Sequence, residues 1–212
     1  MSEAVIERCE RQERLLEERR RVLGEEHADT LTAMLDLADC LWAQGRLIAA
    51  RRLEQQVVAG RRRLLGEDHF DTLKASGKLA VTMAAQGELA VARALQERTV
   101  EGMRALFGET GAETLRAINN LAGTVSAQGD FETARELLES VIATSSREIG
   151  EEHADTLTAM ANLAAVLWRH GDQEEAYALQ QHVVEVHRRV RGHDELTLAA
   201  AEVLDTMEHS TG

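Results

Sequence analysis

Proline is absent from this 212-residue sequence, although about ten would be expected at the usual frequency of roughly 5%. Its absence excludes proline-rich linkers and turns built on a cis-proline bond. Aromatic residues are also scarce, at 3% of the chain, so a core must consist mainly of leucine, valine, alanine and methionine. Hydrophobic residues still reach 44%, which is enough for a packed domain and argues against disorder.

Basic residues are fewer than acidic ones: the sequence has 24 lysines and arginines and 37 aspartates and glutamates, which gives a formal net charge of −13. This balance argues against nucleic acid or an anionic membrane as a partner, since both attract a positive surface. Lys74 and Lys78 are the only lysines, and the other basic residues are arginines. Such a preference, in an alanine-rich chain, is typical of a GC-rich bacterial genome.

The two cysteines, Cys9 and Cys40, are too few for a disulfide framework or a cysteine metal cluster. The first 24 residues are dense in charge and lack the apolar segment of a signal peptide. No stretch approaches the roughly 20 apolar residues that a membrane-spanning helix needs. These observations predict a cytoplasmic protein without a membrane partner.

A 42-residue repeat organises the sequence. The strings GEEHADTLTAML and GEEHADTLTAMA, which begin at Gly24 and Gly150, differ in one residue. The same period relates two columns of glycine and several columns of alanine and leucine. The first glycine column consists of Gly24, Gly66, Gly108, Gly150 and Gly192. We therefore divide the chain into four repeats, residues 24–65, 66–107, 108–149 and 150–191.

Each repeat is predicted to hold two helices. In the first repeat, apolar residues at helical spacing indicate helices over 29–44 and 47–65. Gly45 and Gly66 are suited to end them, because glycine adopts a left-handed conformation without a Cβ penalty. The alternation of apolar and polar residues that marks strands is missing. The fold is predicted to be all-α.

A single helix is predicted on each side of the repeats, at 3–23 and 195–208. The chain would then be one α-α solenoid domain, 1–212, of about ten helices. The N-terminal helix corresponds to half a repeat, and its apolar residues, such as Ile6 and Leu16, could contact a second copy. The C-terminal helix has a polar side suited to capping. The oligomeric state stays open between a monomer and a homodimer formed through the N-terminal half-repeat.

The repeated residues resemble those of a known family. A Leu-Ala pair at Leu37-Ala38, Gly45, Ala50 and Leu53 are similar to the tetratricopeptide repeat. The 42-residue period and the Gly-x-x-His-x-Asp-Thr-Leu connection resemble its kinesin-light-chain subclass. The resemblance implies a right-handed superhelix whose first helices line a concave groove, and a role in protein binding.

Chemistry-bearing motifs are not found, as the sequence has no phosphate-binding glycine loop, HExxH, CxxC or G-x-S-x-G. His27, His69 and His153 recur one repeat apart, which is too far to share an ion. We expect them to make local cap or turn hydrogen bonds. The protein is therefore predicted not to be an enzyme and to hold no cofactor or metal.

The candidate site is the stripe of the first helices opposite their core residues. Lys74, Lys78 and Arg116 would form a positive region that attracts a carboxylate or an acidic peptide. Asn120 and Asn162 can both donate and accept, so they can hold a peptide backbone. The predicted peptide-binding residues are Asp36, Trp42, Lys74, Lys78, Arg116, Asn119, Asn120, Asn162, Trp168 and Arg169.

Three alternatives remain open at this point. In one, Lys78 pairs with Asp36 of the neighbouring repeat and the stripe is merely solvated. In the second, the solenoid mainly self-associates. In the third, the chain is the sensor or regulatory repeat region of a larger bacterial signalling protein. The two tryptophans, Trp42 and Trp168, fit packing between repeats as well as ligand contact.

Overall fold

A computed structural model describes residues 3–192 and 194–210, together with the side chains of 6–192 and 194–209. Residues 1, 2, 193, 211 and 212 of the predicted domain lie outside this part. The described residues form ten α-helices and no strand, which confirms the predicted all-α class. In chain order the helices are α1 Glu3–Leu23, α2 Ala28–Ala43, α3 Leu47–Leu65, α4 Phe70–Ala85, α5 Leu89–Phe107, α6 Ala112–Ala127, α7 Phe131–Ile149, α8 Ala154–His170, α9 Gln173–Arg191 and α10 Glu195–Ser210. The helix bounds differ from the predicted ones by two residues at most in the first repeat and at the two flanking helices.

The chain divides into two compact units, Met1–Leu106 and Phe107–Gly212. In the first unit, α1 packs on α2, α2 on α3, and α3 on α4. In the second unit, α6, α7, α8, α9 and α10 pack in the same consecutive order, and α6 also contacts α8. The single 1–212 domain remains a prediction.

Alanine lets neighbouring helices approach closely in both units. The alanines of the Leu-Ala pairs and of the second helices are completely buried, as a close contact between helices requires. They are Ala38, Ala50, Ala80, Ala92, Ala122, Ala134, Ala164 and Ala176. Around them in the first unit, Leu16, Leu31, Met34 and Val57 fill the core. A chain with few aromatic side chains thus builds its core from aliphatic ones.

Glycine ends the helices at regular intervals. The predicted left-handed conformation is present at Gly45, where φ is 72°, and at Gly66, where φ is 92°. No residue other than glycine has a positive φ in the described part of the chain. These positions recur every 21 residues, so one glycine follows each half of a repeat and turns the chain into the next helix.

Histidine begins three of the first helices. The Nδ1 atoms of His27, His69 and His153 each accept a hydrogen bond from the backbone N–H two residues later, at 3.1–3.2 Å. The predicted local cap is therefore confirmed. Gly111 stands at the corresponding position before α6 and provides no side-chain cap.

The two cysteines are buried free thiols. Cys9 lies on α1 and Cys40 on α2, and these helices pack together. Burial, followed by a hydrogen bond with the Cys40 thiol, raises the pKa of Cys9 to about 11.

The part of the chain that the structure describes contains no helix with the length and hydrophobicity that spanning a membrane requires.

Candidate functional site

The predicted site residues lie on the first helices of the repeats, and each unit carries its own share. We call the first-unit surface the set Asp36, Asp39 and Trp42 on α2 with Lys74 and Lys78 on α4. We call the second-unit surface the set Arg116, Asn119 and Asn120 on α6 with Asn162, Trp168 and Arg169 on α8. All of these side chains are exposed or half-buried, while the neighbouring apolar residues of the same helices are buried. Solvent therefore reaches all ten predicted residues and Asp39 beside them.

An ion pair joins the two helices of the first-unit surface. Lys78 Nζ donates to both carboxylate oxygens of Asp39, at 2.5 and 2.6 Å. The alternative in which Lys78 pairs with a neighbouring repeat is thus correct in kind, but the partner is Asp39 and not Asp36. Asp36 lies exposed one helical turn before Asp39. The charge of Lys78 is compensated within the protein.

Lys74 differs from Lys78 in its surroundings. Its ammonium nitrogen lies 5.7 Å from the centre of the Phe70 ring, a cation–π contact within α4. No carboxylate in the described part of the chain forms an ion pair with it. An exposed ammonium on the first-unit surface is therefore left uncompensated.

A buried carboxyl group lies beneath this surface. Glu54 on α3 is only 2% exposed, and its Oε1 atom accepts a hydrogen bond of 3.0 Å from the Thr82 hydroxyl. Sequence reasoning missed it, because a charged residue directly after the leucine column fits the polar side of an ordinary amphipathic helix. A comparison of the repeats could have indicated burial, because the residues that correspond to Glu54 are uncharged. They are Gln96, Leu138 and Gln180.

Arg116 is compensated on the second-unit surface in the way that Lys78 is on the first. Its guanidinium donates to Glu113 at 2.7 Å and to Asp155 at 2.8 Å. The hydrogen bond to Asp155, ahead of the other contributions, raises the pKa of Arg116 above its ordinary value. Arg116 therefore stays charged but already has two carboxylate partners.

Amide side chains occupy the middle of the second-unit surface. The Nδ2 group of Asn162 on α8 donates to Oδ1 of Asn119 on α6, at 3.1 Å. Each amide has two donor hydrogens and one acceptor oxygen, so this single bond leaves donor and acceptor capacity on both side chains. Asn120 lies beside them and is exposed.

Arg169 is the cation at the far end of α8. It donates to the Ser126 hydroxyl at 3.3 Å, and its guanidinium carbon lies 5.6 Å from the centre of the Phe131 ring. No ion pair with a carboxylate is formed in the described part of the chain. Trp168 beside it is half-buried, whereas Trp42 is 45% exposed. Arg169 thus matches Lys74: exposed, stacked on an aromatic ring and uncompensated.

The cavity beside the second-unit surface is small. It lies between α6, α7 and α8, has a volume of about 40 Å³, and is lined in part by Arg116, Asn119, Ser145 and Thr158. Such a volume holds roughly one or two water molecules, whereas small-molecule pockets usually occupy about 300–1,000 Å³. Among the described residues, no group of three or more His, Cys, Asp or Glu side chains is placed to hold a metal ion.

Sequence profiles of a known family match most of the chain. One profile of the tetratricopeptide repeat matches residues 71–146 and 113–189, and a second matches residues 30–71. Together these matches cover the first-unit and second-unit surfaces. The search of curated proteins gave no match.

Solved structures of repeat proteins are similar to this chain. Two are crystal structures of nearly identical TPR-like repeats of a protein assigned as a kinesin light chain in Podosopora anserina, one of them carrying a single substitution. The substituted form has a TM-score of 0.69 at 27% identity over 88% of both chains, and the other a TM-score of 0.66 at 27% identity over 88% of this chain and 89% of that one. The structure of BtubC (BKLC) from P. vanneervenii has a TM-score of 0.70 over 98% of this chain and 88% of that one, at 18% identity. The last likeness concerns the fold alone.

Proposed function

Because the chain belongs to the tetratricopeptide repeat family, in its kinesin-light-chain-like form, we propose that it is a non-enzymatic scaffold that binds an acidic peptide segment of a partner protein. Repeats of this family mediate protein–protein interaction. The ligand would lie on the exposed side of the first helices, and each unit offers a binding surface of its own. The partner is a protein, and neither nucleic acid nor a membrane suits a chain of net charge −13.

The observation that carries this proposal is the uncompensated charge of Lys74 and Arg169. On the first-unit and second-unit surfaces, Lys78 and Arg116 have carboxylate partners, whereas Lys74 and Arg169 form no ion pair in the described part of the chain. These two cations instead lie over the rings of Phe70 and Phe131. A ligand carboxylate can bind either cation without displacing a carboxylate of the protein, and it would gain a charge-assisted hydrogen bond.

Lys78 and Arg116 have a different part in this proposal. Each already has a carboxylate partner, Asp39 for Lys78, and Glu113 and Asp155 for Arg116. A ligand that used them would first have to separate an existing ion pair. We therefore assign primary ligand binding to Lys74 and Arg169 and a secondary role to Lys78 and Arg116.

The asparagines would hold the ligand's backbone. Asn119 and Asn162 are fixed relative to each other by their 3.1 Å hydrogen bond, so little side-chain entropy remains to be lost on binding. Their remaining donors and acceptors suit the N–H and C=O groups of an extended chain. Such backbone contacts provide affinity without a strong sequence requirement, and Arg169 on the same surface provides the preference for acidic residues.

Self-association through α1 is the second candidate. Ile6, Val22 and Leu23 on α1 are exposed, while Cys9 and Leu16 of the same helix are buried. The exposed apolar residues could pack against a second copy of the chain. In that case the oligomer would be a homodimer, and size-exclusion chromatography with light scattering would show a mass that falls on dilution or on replacing Val22 and Leu23 by serine.

The test of the primary proposal is a titration of extended peptides in three matched classes, acidic, neutral and basic. We expect acidic peptides to bind most tightly and their affinity to fall as salt is raised, because exposed charges are screened over about 10 Å at 0.1 M ionic strength. The same titration with scrambled acidic peptides separates backbone recognition from charge alone. Tightest binding by basic or neutral peptides would contradict the proposal.

A further inference from the structure

Glu54 is buried with one of its oxygens unused. The side chain is 2% exposed, and Oε2 has neither a hydrogen-bond partner nor contact with solvent. Only Oε1 is bonded, to the Thr82 hydroxyl at 3.0 Å. A carboxylate placed so far from water loses its hydration, and one hydrogen bond from a neutral hydroxyl replaces only part of it.

The other repeats place an uncharged side chain at this position. Gln96, Leu138 and Gln180 stand 42, 84 and 126 residues after Glu54, and each is no more than 2% exposed. Gln180 donates through Nε2 to the backbone carbonyl of Ala200 at 2.8 Å. A glutamate that carries a proton has nearly the shape of glutamine and, like it, offers a donor. The fold therefore accommodates a neutral group here.

Two charged groups face Glu54 from the helices packed against α3. They are Asp39 on α2 and Lys78 on α4. Lys78 already binds both oxygens of Asp39, so its charge does little to compensate Glu54. Burial, the largest cause, raises the pKa of Glu54 above its ordinary value. Asp39 raises it further, while the Thr82 hydrogen bond and Lys78 act in the opposite direction.

We propose that Glu54 is a proton-binding site beneath the Lys78–Asp39 ion pair, which keeps its proton at pH values where an ordinary glutamate is ionised and thereby controls the charge of the first-unit surface. With the proton bound, Glu54 is neutral, and the charges of Lys78 and Asp39 cancel. When the proton leaves, the three groups carry a net charge of −1, and Lys78 is drawn toward two carboxylates. The first-unit surface then attracts a ligand carboxylate less strongly.

Proton binding by the folded chain fixes the direction of the stability change. The folded protein holds the proton more tightly than the unfolded chain does, so this site stabilises the fold fully below the ordinary glutamate pKa of about 4.3. That contribution is lost as the pH rises through the higher pKa of the folded state. Glu54→Gln keeps the neutral shape at every pH, and we expect it to be more stable than wild type on the alkaline side.

The experiment compares wild type with Glu54→Gln from pH 4 to pH 9. We expect the ¹³C signal of the Glu54 carboxyl carbon, assigned by its loss in the variant, to titrate clearly above the ordinary glutamate value of about 4.3. The melting temperature of the variant should exceed that of wild type by roughly 3 °C or more at alkaline pH, and the difference should vanish near pH 4. A titration at or below the ordinary value would overturn the proposal.

Two further variants keep the test decisive. Gln180→Glu places a carboxyl at the corresponding position of the second unit, and it should create the alkaline loss of stability that Glu54→Gln removes. Glu54→Leu copies Leu138 and replaces Glu54→Gln if the latter folds poorly. A Gln180→Glu protein with wild-type stability at all pH values would show that the position tolerates charge, and the proposal would fail.

The effect on ligands rests on the proposed function and has its own readout. An acidic peptide should bind wild type less tightly as the pH rises, by about threefold or more, and should bind Glu54→Gln with little pH dependence. If no peptide binds but the carboxyl titration and the stability profiles follow the expectation, the proton site stands and the proposed function fails. If acidic peptides bind but Glu54 titrates at the ordinary glutamate value, the proposed function stands and the proton site fails.

Discussion

Lys78 on α4 donates to both carboxylate oxygens of Asp39 on α2, at 2.5 and 2.6 Å. The pair spans two consecutive repeats of the first unit and lies at its exposed stripe. It neutralises one of the two lysines of the chain, whereas Lys74, four residues earlier, lies over the Phe70 ring and forms no ion pair in the described part of the chain. The pair therefore determines how much positive charge the first-unit surface offers.

Removing Asp39 should release Lys78 for ligands. We expect Asp39→Asn to bind an acidic peptide about threefold to tenfold more tightly, because Lys78 no longer has an internal partner. Stability should fall by less than about 1 kcal/mol, since both side chains remain partly exposed to water. Asp36→Asn, on the same helix, removes the same charge without touching Lys78. Equal improvement in both variants would mean that net charge alone matters.

The position of this ion pair could not be read from the sequence, because corresponding residues of adjacent repeats do not face each other. Asp36 and Lys78 stand 42 residues apart and project in the same direction from neighbouring first helices. The observed contacts are offset, by 39 residues for Lys78–Asp39 and by 43 for Asn162–Asn119. Neighbouring first helices touch along the sides that face each other, so the contacting residues are three positions short of the 42-residue period or one position beyond it. The size of this offset depends on how the helices pack, which the sequence does not show.

The fold, by contrast, could be predicted almost completely. Two series of glycines share the 42-residue period, and apolar residues at helical spacing follow each glycine. These glycines mark where one helix ends and the next begins, as at Gly45 and Gly66. The caps at His27 and its two counterparts also followed from the repeat. Glu54 could not be recognised as buried, because whether a polar residue of an amphipathic helix faces water depends on its neighbours α2 and α4.

Ala122 tests the packing between helices. It is completely buried on α6, so Ala122→Leu should overpack the contact and lower the free energy of unfolding by roughly 1–3 kcal/mol. Ala127→Leu, on the exposed side of the same helix, is the matched control and should change stability little. Chemical denaturation measures both. Equal stability of the two variants would show that α6 is turned differently about its axis.

His153 tests the cap of α8. Its Nδ1 atom accepts from the Asp155 N–H at 3.2 Å, and His153→Ala should cost about 0.5–2 kcal/mol of unfolding free energy. His153→Asn supplies another cap acceptor and should retain most of the stability. Thermal or urea unfolding followed by circular dichroism distinguishes these outcomes. If alanine and asparagine behave alike, the hydrogen bond contributes nothing.

Asp194 provides a test by pH. Asp194 precedes α10, and its carboxylate accepts from Arg191 and from the Thr197 N–H in the first turn of that helix. The Arg191 hydrogen bond, first among the causes, lowers the pKa of Asp194 from 3.8 to about 2. A lowered pKa means that its stabilising contribution is present above the unfolded value and is lost as the pH falls toward 2. Asp194→Asn should therefore be less stable than wild type at pH 6, with the difference shrinking by pH 2. A constant difference, measured by thermal unfolding, would contradict the charge-based explanation.

The most direct test of the proposed function is the affinity of one acidic peptide for three variants, Lys74→Ala, Arg169→Ala and Arg147→Ala. Arg147 is an exposed arginine on the second helix α7, so its removal changes the net charge equally but leaves the first helices intact. Losing a charge-assisted contact costs about 1–3 kcal/mol, so Lys74→Ala and Arg169→Ala should weaken binding by roughly tenfold, while Arg147→Ala stays near wild type. Equal Kd values for all three variants would contradict peptide binding by the first helices.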